Sequence, residues 1–313
     1  MPEDSSPRQV AEARRPGLAG LWRLVLDSRA AWVADYAPSM GAALSYYTIF
    51  SIAPLLVIVI AVAGLAFGEQ AASGAIFGQL REMVGDSGAA AIQGLVQSAN
   101  KPAASVFAAI TGFATMVFGA TTVLGELQSA LDRIWRAPAA PAGQGWWRLV
   151  RGRLLSLGLI LAIGFLLLVS LVLSAVLAAI GGWWGPWFAR FRWLLEALNF
   201  ALDFAVVTAL FAMIYKILPR VHIAWRDVWV GATMTALLFT VGKFLIGLYL
   251  GRSGVTSGFG AAGSVVILLV WVYYSAQVFL LGAELTCIYT YRYGSLRGLA
   301  PPAAPGIPSK PLR

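Results

Sequence analysis

Long stretches without a charged residue alternate along this chain with short segments in which charges collect. The first uncharged stretch, "SMGAALSYYTIFSIAPLLVIVIAVAGLAFG", runs from Ser39 to Gly68. Others lie near Ala104–Gly125, Leu154–Trp187, Asn199–Tyr215, Val228–Leu250 and Gly254–Ala283; only Asp203 interrupts the fourth and only Lys243 the fifth. Roughly 20 helical residues cross a bilayer's hydrocarbon core. The pattern therefore predicts an all-α integral membrane protein with six transmembrane helices. The polar and amphipathic residues before Ser39 do not resemble a cleaved signal.

The segments between the runs have patterns of their own. In "LAGLWRLVLDSRAAWVADY", Leu18, Trp22, Val25, Trp32 and Tyr36 fall towards one side of a helix, with Arg23 and Asp27 elsewhere. Residues 18–38 are expected to lie as an amphipathic helix in the membrane interface, after a disordered segment at 1–17. Residues 39–293 form the membrane domain. Its external loop, about 69–103, is expected to hold two short helices joined by a turn at "GDSG". Residues 294–313, rich in proline, are expected to be a disordered tail.

Composition agrees with the pattern and adds orientation. Of the 313 residues 59% are hydrophobic and 12% charged, against about a quarter charged in soluble domains. Arg8, Arg14, Arg15, Arg23 and Arg29 precede the first span; Arg133, Arg136, Arg148, Arg151 and Arg153 follow the second. Lys216, Arg220 and Arg226 join the fourth to the fifth, and Arg292, Arg297, Lys310 and Arg313 follow the sixth. The alternate connections hold only Arg81, Lys101, Arg190, Arg192 and Arg252. Basic residues stay in the cytoplasm, so both termini are expected there. The net charge of +9 follows from this rule and suits anionic headgroups at the cytoplasmic face. Without an aromatic-basic binding module it does not point to nucleic acid. The tryptophans at 183, 184, 187 and 193, and at 146 and 147, suit interfacial belts.

An ionisable group inside a span needs a partner or a purpose. Asp203 and Lys243 lie at similar depths outward of the midplane on spans joined by a short connection, so an ion pair facing the bundle interior is expected. Asn199, one turn before Asp203, would extend that polar site. Whether such a pair locks helix register or receives a headgroup, ion or proton is left open by the sequence. Towards the inner end, Glu284 shares a helix face with Gln277 and Tyr273, and Glu126 ends the second span; both acids have arginines such as Arg133 and Arg153 within reach. Pro54 removes a backbone hydrogen bond within the first span and predicts a helix kink, with Thr48 and Ser51 in the preceding turn. Small residues four apart at Gly64 and Gly68, Gly247 and Gly251, and Gly254 and Gly258 suggest close helix contacts.

No constellation for catalysis appears. The sequence has one His and one Cys, no phosphate-cradling loop, no H-E-x-x-H and no G-x-S-x-G. No metal, cofactor or enzymatic activity is expected, and nothing in the sequence decides an oligomeric state.

"AALSYYTIFSIAPLL", "LQSALDRIW", "YKILPRVHIAWRDVWVGA" and "GSVVILLVWVYYSAQVFLLGAEL" resemble, in order and spacing, the YihY/BrkB family of bacterial inner-membrane proteins. "SGFGAAGS" stands where the family more often has a Tyr-Gly step, so no role for that tyrosine carries over. The resemblance implies six helices and a bacterial inner-membrane location. It also implies links to virulence, serum resistance and the movement of lipid or lipopolysaccharide precursors. A ribonuclease label also attached to the family is opposed by the lack of clustered carboxylates or histidines. Transport or flipping of a lipid or amphipathic anion is the expected function. The alternative is a non-transporting scaffold of the cell envelope whose charges only fix helix register.

Overall fold

The structure, a computed structural model, describes residues 18–99, 106–138, 145–183, 192–252 and 263–299. The expectations for 1–17, for 300–313 and for the glycine-rich run at 253–262 lie outside those residues, as do Trp184 and Trp187. Eight helices make up the described chain: α1 (Leu18–Ala34), α2 (Ala37–Phe67), α3 (Glu69–Ala99), α4 (Val106–Ile134), α5 (Gly145–Trp183), α6 (Arg192–Ile217), α7 (Trp225–Arg252) and α8 (Gly263–Arg292). Among the described residues, five stretches are long and apolar enough to cross a membrane: Ala37–Leu65, Ile110–Ile134, Glu196–Ile217, Trp225–Leu245 and Val265–Arg292. A shorter apolar stretch, Gly152–Leu167, lies within α5.

Short, specific turns reverse the chain. Tyr36 adopts a left-handed conformation (φ 57°) between α1 and α2, and Pro38 enters the first turn of α2, where its missing N–H costs no hydrogen bond. Gly68 (φ 84°) ends α2, its N–H bonded to the Gly64 carbonyl. The Gly64–Gly68 pair thus makes a turn rather than the close helix contact its spacing suggested. One end of the bundle gathers the start of α2, the ends of α4, α6 and α8, and the start of α7. Gln128 Nε2 donates to the Leu218 carbonyl at 3.0 Å, and the Ser295 N–H donates to Asp227 Oδ2 at 2.6 Å. Arg133, Arg136, Lys216, Arg220, Arg226 and Arg292 share this basic end.

The core has two parts. Near the basic end, Leu131, Trp135, Tyr215, Ile223, Val228 and Leu280 are buried together. Towards the other end, Leu56 and Ile60 of α2 pack with Ile92 and Val96 of α3 and Leu268 of α8. The buried Tyr215 hydroxyl donates to the Phe279 carbonyl at 2.8 Å and lies 3.2 Å from Thr235 Oγ1, joining α6, α7 and α8. The small residues that let helices approach are Gly231 and Thr235 on α7 against Gly282 and Thr286 on α8. A Cβ at Gly231 would overlap Thr286, and one at Gly282 would overlap Thr235. This pairing needs residues four apart on both helices.

Helix α3 is helical from Glu69 to Ala99, yet it doubles back. Glu69, Ser73 and Phe77 line the same recess as Gln93, Val96 and Gln97. In a straight helix Glu69 and Gln97 would stand about 42 Å apart. The bend lies between Phe77 and Gln93, which line one recess, and Arg81 and Asp86 form a 2.9 Å ion pair within that stretch. The helix is continuous where two helices joined by a turn at "GDSG" were expected. Leu80 and Ile92, on either side of the bend, reach a cavity also lined by Leu44, Thr48 and Phe211. The hairpin therefore enters the bundle from the end opposite the basic one.

Two sequence expectations are refined. Pro54 lies inside a continuous α2, and its ring packs at Gly119 of α4, where a Cβ would come within 3.2 Å of Pro54 Cγ. Thr48 Oγ1 does not serve the carbonyl that Pro54 frees; it donates to the Leu44 carbonyl at 2.7 Å. The tail expected to be disordered from 294 is held in turns as far as Leu299, because Asp227 accepts the Ser295 N–H and the Gly294 and Leu296 N–H groups bond back into α8. Gly231→Ala and Gly282→Ala are each expected to destabilise by about 1–3 kcal/mol through overpacking. Gly158→Ala, which meets open space, should leave thermal unfolding in detergent unchanged.

Candidate functional site

Asp203 and Asn199 are exposed on α6, while Lys243 is half-buried on α7. No Asp203–Lys243 ion pair is seen among the described residues, and Asp203 makes an interaction of its own. The buried face of α6 carries Thr208, Ala212 and Tyr215, and at about 100° per residue Asp203 points some 120–180° away from each of them. Equal depth does not make two side chains meet. Glu126 is half-buried and Tyr273 is 38% exposed. Arg153, a suggested partner for Glu126, instead donates to Thr121 Oγ1 at 2.7 Å and lies over the Phe118 ring at 4.2 Å.

Glu284 alone of the predicted acids is fully enclosed, at 2% exposure. Three separate segments build its surroundings. Asp35, 3% exposed, ends α1. Arg136, just beyond α4, reaches Asp35 Oδ1 with its Nη2 at 2.5 Å and the Arg133 carbonyl with its Nη1 at 3.0 Å. Its left-handed backbone (φ 50°) turns the chain so that the guanidinium points back into the bundle. The Asp35 carboxyl lies within hydrogen-bonding reach of Glu284, and the charge of Arg136 is felt there as well. Cys287, one turn further along α8, donates weakly to the Ile134 carbonyl at 3.7 Å and borders the same three groups. One turn and more in the other direction, Gln277 Nε2 lies 3.5 Å from the Pro38 carbonyl, over Gly41, where a Cβ would overlap its amide.

Several buried atoms at this end have no hydrogen-bond partner: Asp35 Oδ2, Glu284 Oε1, Gln277 Oε1 and the indole nitrogens of Trp32 and Trp135. Two carboxyls beside one guanidinium leave an uncompensated negative charge if both are ionised. An unpaired charge so deeply buried is costly. The chemistry available is that of holding a proton, since among the described residues no group of three His, Cys, Asp or Glu could hold a metal ion.

The cluster is framed by further ties on the same end. Arg292 Nη1 pairs with Asp27 Oδ2 at 2.7 Å, fastening α8 to α1. Asp132 accepts the Arg220 N–H at 2.9 Å and pairs with its Nε at 3.3 Å, fastening α4 to the α6–α7 connection. Lys216 Nζ donates to the Ile223 carbonyl at 2.5 Å and faces the Trp225 ring. The motif "LQSALDRIW" thus supplies Gln128, Asp132 and Trp135 to this stitching.

The opposite end is open. Between the arms of the α3 hairpin lies a recess of about 660 Å³ lined by Glu69, Gln70, Ser73, Arg81 and Gln93. A neighbouring recess of about 550 Å³ adds Ile60, Gly64, Val96 and Gln97. On the adjacent side of α2, Val59, Val62, Ile160, Gly164, Phe165 and Val169 line an apolar groove of about 470 Å³ towards α5. Beneath the hairpin is the cavity of about 280 Å³, walled by Phe211, Phe239, Trp271 and Phe279.

Sequence reasoning found Glu284 and missed both partners. Asp35 was absorbed into an amphipathic helix and Arg136 into a basic loop. Their one signal is that each borders an apolar run on the side where Glu284 sits.

The family model described as virulence factor BrkB matches residues 30–307. A UPF0761 membrane protein of Pseudomonas aeruginosa is 30% identical over 269 residues, covering 82% of this chain and 60% of its own length. UPF0761 membrane proteins of Verminephrobacter eiseniae (30% over 267 residues; 81% and 58%) and Rhodospirillum centenum (29% over 267; 84% and 56%) are similar. The chain therefore spans about three fifths of the length of these relatives. No solved structure matches. Arg136→Ala leaves Asp35 buried without its counter-charge and is expected to cost about 3–5 kcal/mol. Arg297→Ala, at an exposed position, should cost less than about 0.5 kcal/mol, both read as loss of folded protein on heating in detergent.

Proposed function

The chain belongs to the virulence factor BrkB family of membrane proteins, and from that membership we propose that it moves a lipid or other amphipathic anion across a bacterial inner membrane. The proposed topology is six spans, α2 and α4–α8, with the basic end and both termini in the cytoplasm. The charge asymmetry of the connections supports that orientation. The role is one of movement, not of catalysis.

The observation that carries this reading is the pairing of surfaces flanking the outer half of α2. A recess with Glu69, Gln70, Ser73, Arg81 and Gln93 is polar enough for a headgroup, with the Arg81 guanidinium, paired to Asp86, at its edge. The groove along Val59, Val62 and Phe165 is apolar and suits acyl chains. An amphipathic molecule needs both kinds of surface at once. The hairpin tip, with Leu80 and Ile92, stands between the recess and the inner cavity, so passage would require the hairpin to shift. Re-entrant backbone at such a depth is tolerated where it lines a cavity or is buried in protein.

The scaffold reading draws support from the ring cluster of Phe211, Tyr215 and Phe279, 5.1–6.2 Å apart, which packs α6 against α8. The two readings part in reconstituted vesicles. The protein is expected to speed exchange of a fluorescent anionic phospholipid between leaflets, and Ser73→Trp, which fills the recess, to cut that rate about tenfold or more. Leu95→Ala should leave it intact. A wild-type rate equal to that of protein-free vesicles would leave the scaffold standing. For topology, a reporter fused after Arg313 is expected to be active only on the cytoplasmic side.

A further inference from the structure

We propose that Asp35 and Glu284 together bind one proton, making the basic end of the bundle a protonation site that acts between α1 and α8. This concerns the other end of the molecule from the recess and stands whether or not the recess carries lipid.

The geometry supplies the argument. Asp35 is already committed to Arg136 through Oδ1. Glu284 lies beside it at 2% exposure, and Glu284 Oε1 and Asp35 Oδ2 are both without a donor. A single proton between adjacent carboxyls gives one oxygen a donor and the other an acceptor, and it brings the cluster's charge to zero. Carboxyl pairs in close contact cannot both ionise easily, and the proton then belongs to the pair rather than to either residue. A metal cation is a poorer occupant, because Arg136 would repel it and no third acidic ligand is present among the described residues. Two further cations stand nearby but are otherwise engaged: Arg133 lies over the Tyr36 ring and Arg292 pairs with Asp27. From α1 come Asp35 and the Trp32 indole; from the turn after α4 comes Arg136; from α8 itself come Cys287 and Gln277. Helix α2 has no charged residue at all.

Losing the proton would set two carboxylates against one guanidinium. Asp35 sits at the end of α1 and Glu284 on α8, so the repulsion falls between these helices, against the Asp27–Arg292 pair and the packing of Trp32. Alkaline conditions should therefore loosen α1 from the bundle.

Difference infrared spectroscopy of the full chain in lipid tests this. A protonated-carboxyl stretch is expected at neutral pH, lost in Glu284→Gln and kept in Asp27→Asn. Asp35→Asn should also remove it, because Glu284 then ionises against Arg136; that variant decides the matter if Glu284→Gln does not fold. In parallel, backbone deuterium exchange in α1, corrected for intrinsic rates, should rise about tenfold at high pH in the wild type and stay flat in Glu284→Gln. Absence of the band in the wild type, or its survival in Glu284→Gln, would overturn the proposal.

Discussion

The contact between Arg136 and Asp35 closes one end of this bundle. Both groups are nearly excluded from solvent, with side-chain exposures of 17% and 4%. Neither is tolerable there alone, since a buried charge without a counter-charge costs several kcal/mol. Because the pair joins the turn after α4 to the end of α1, and Glu284 brings in α8, elements far apart in sequence must arrive together. The left-handed turn at Arg136 and the left-handed residue Tyr36 beside Asp35 are the backbone adjustments that allow it.

The rest of the basic end repeats that logic. Asp27, Asp132 and Asp227 each meet a partner from another segment: Arg292, Arg220 and the Ser295 N–H. With Asp35, these aspartates and their partners form a rim in which helix ends cannot slide independently. The close α7–α8 packing at Gly231 and Gly282 continues the rigid zone upward. The other half of the molecule is built differently. A hairpin held mainly by Ile76, Phe77, Leu80, Ile92 and Val96 against α2 and α8 encloses polar recesses and carries an exposed Arg81–Asp86 pair, which contributes little to stability. A stiff base and a looser top give a molecule in which movement, if driven, falls on the hairpin.

Asp203 drew attention because a charge within an apolar run is rare. Its helix, however, buries the face with Thr208, Ala212 and Tyr215. Glu284 looked less conspicuous, close to the end of its run, and is the more enclosed of the two.

Helices, their lengths and the clustering of basic residues were legible in the sequence, because hydrophobic transfer and backbone satisfaction act on each segment separately. What the linear pattern does not carry is rotation. A run that is apolar all round gives no stripe to say which face turns inward, so the Asp203–Lys243 expectation rested on depth alone. The partners of Glu284 lay about 250 and 150 residues away in the chain, and only packing of α1, α4 and α8 brought them to it. Sequence alone determined that this chain enters a membrane, since that is a sum over residues. Tertiary structure decided which charges meet, since that depends on the angles at which helices face one another.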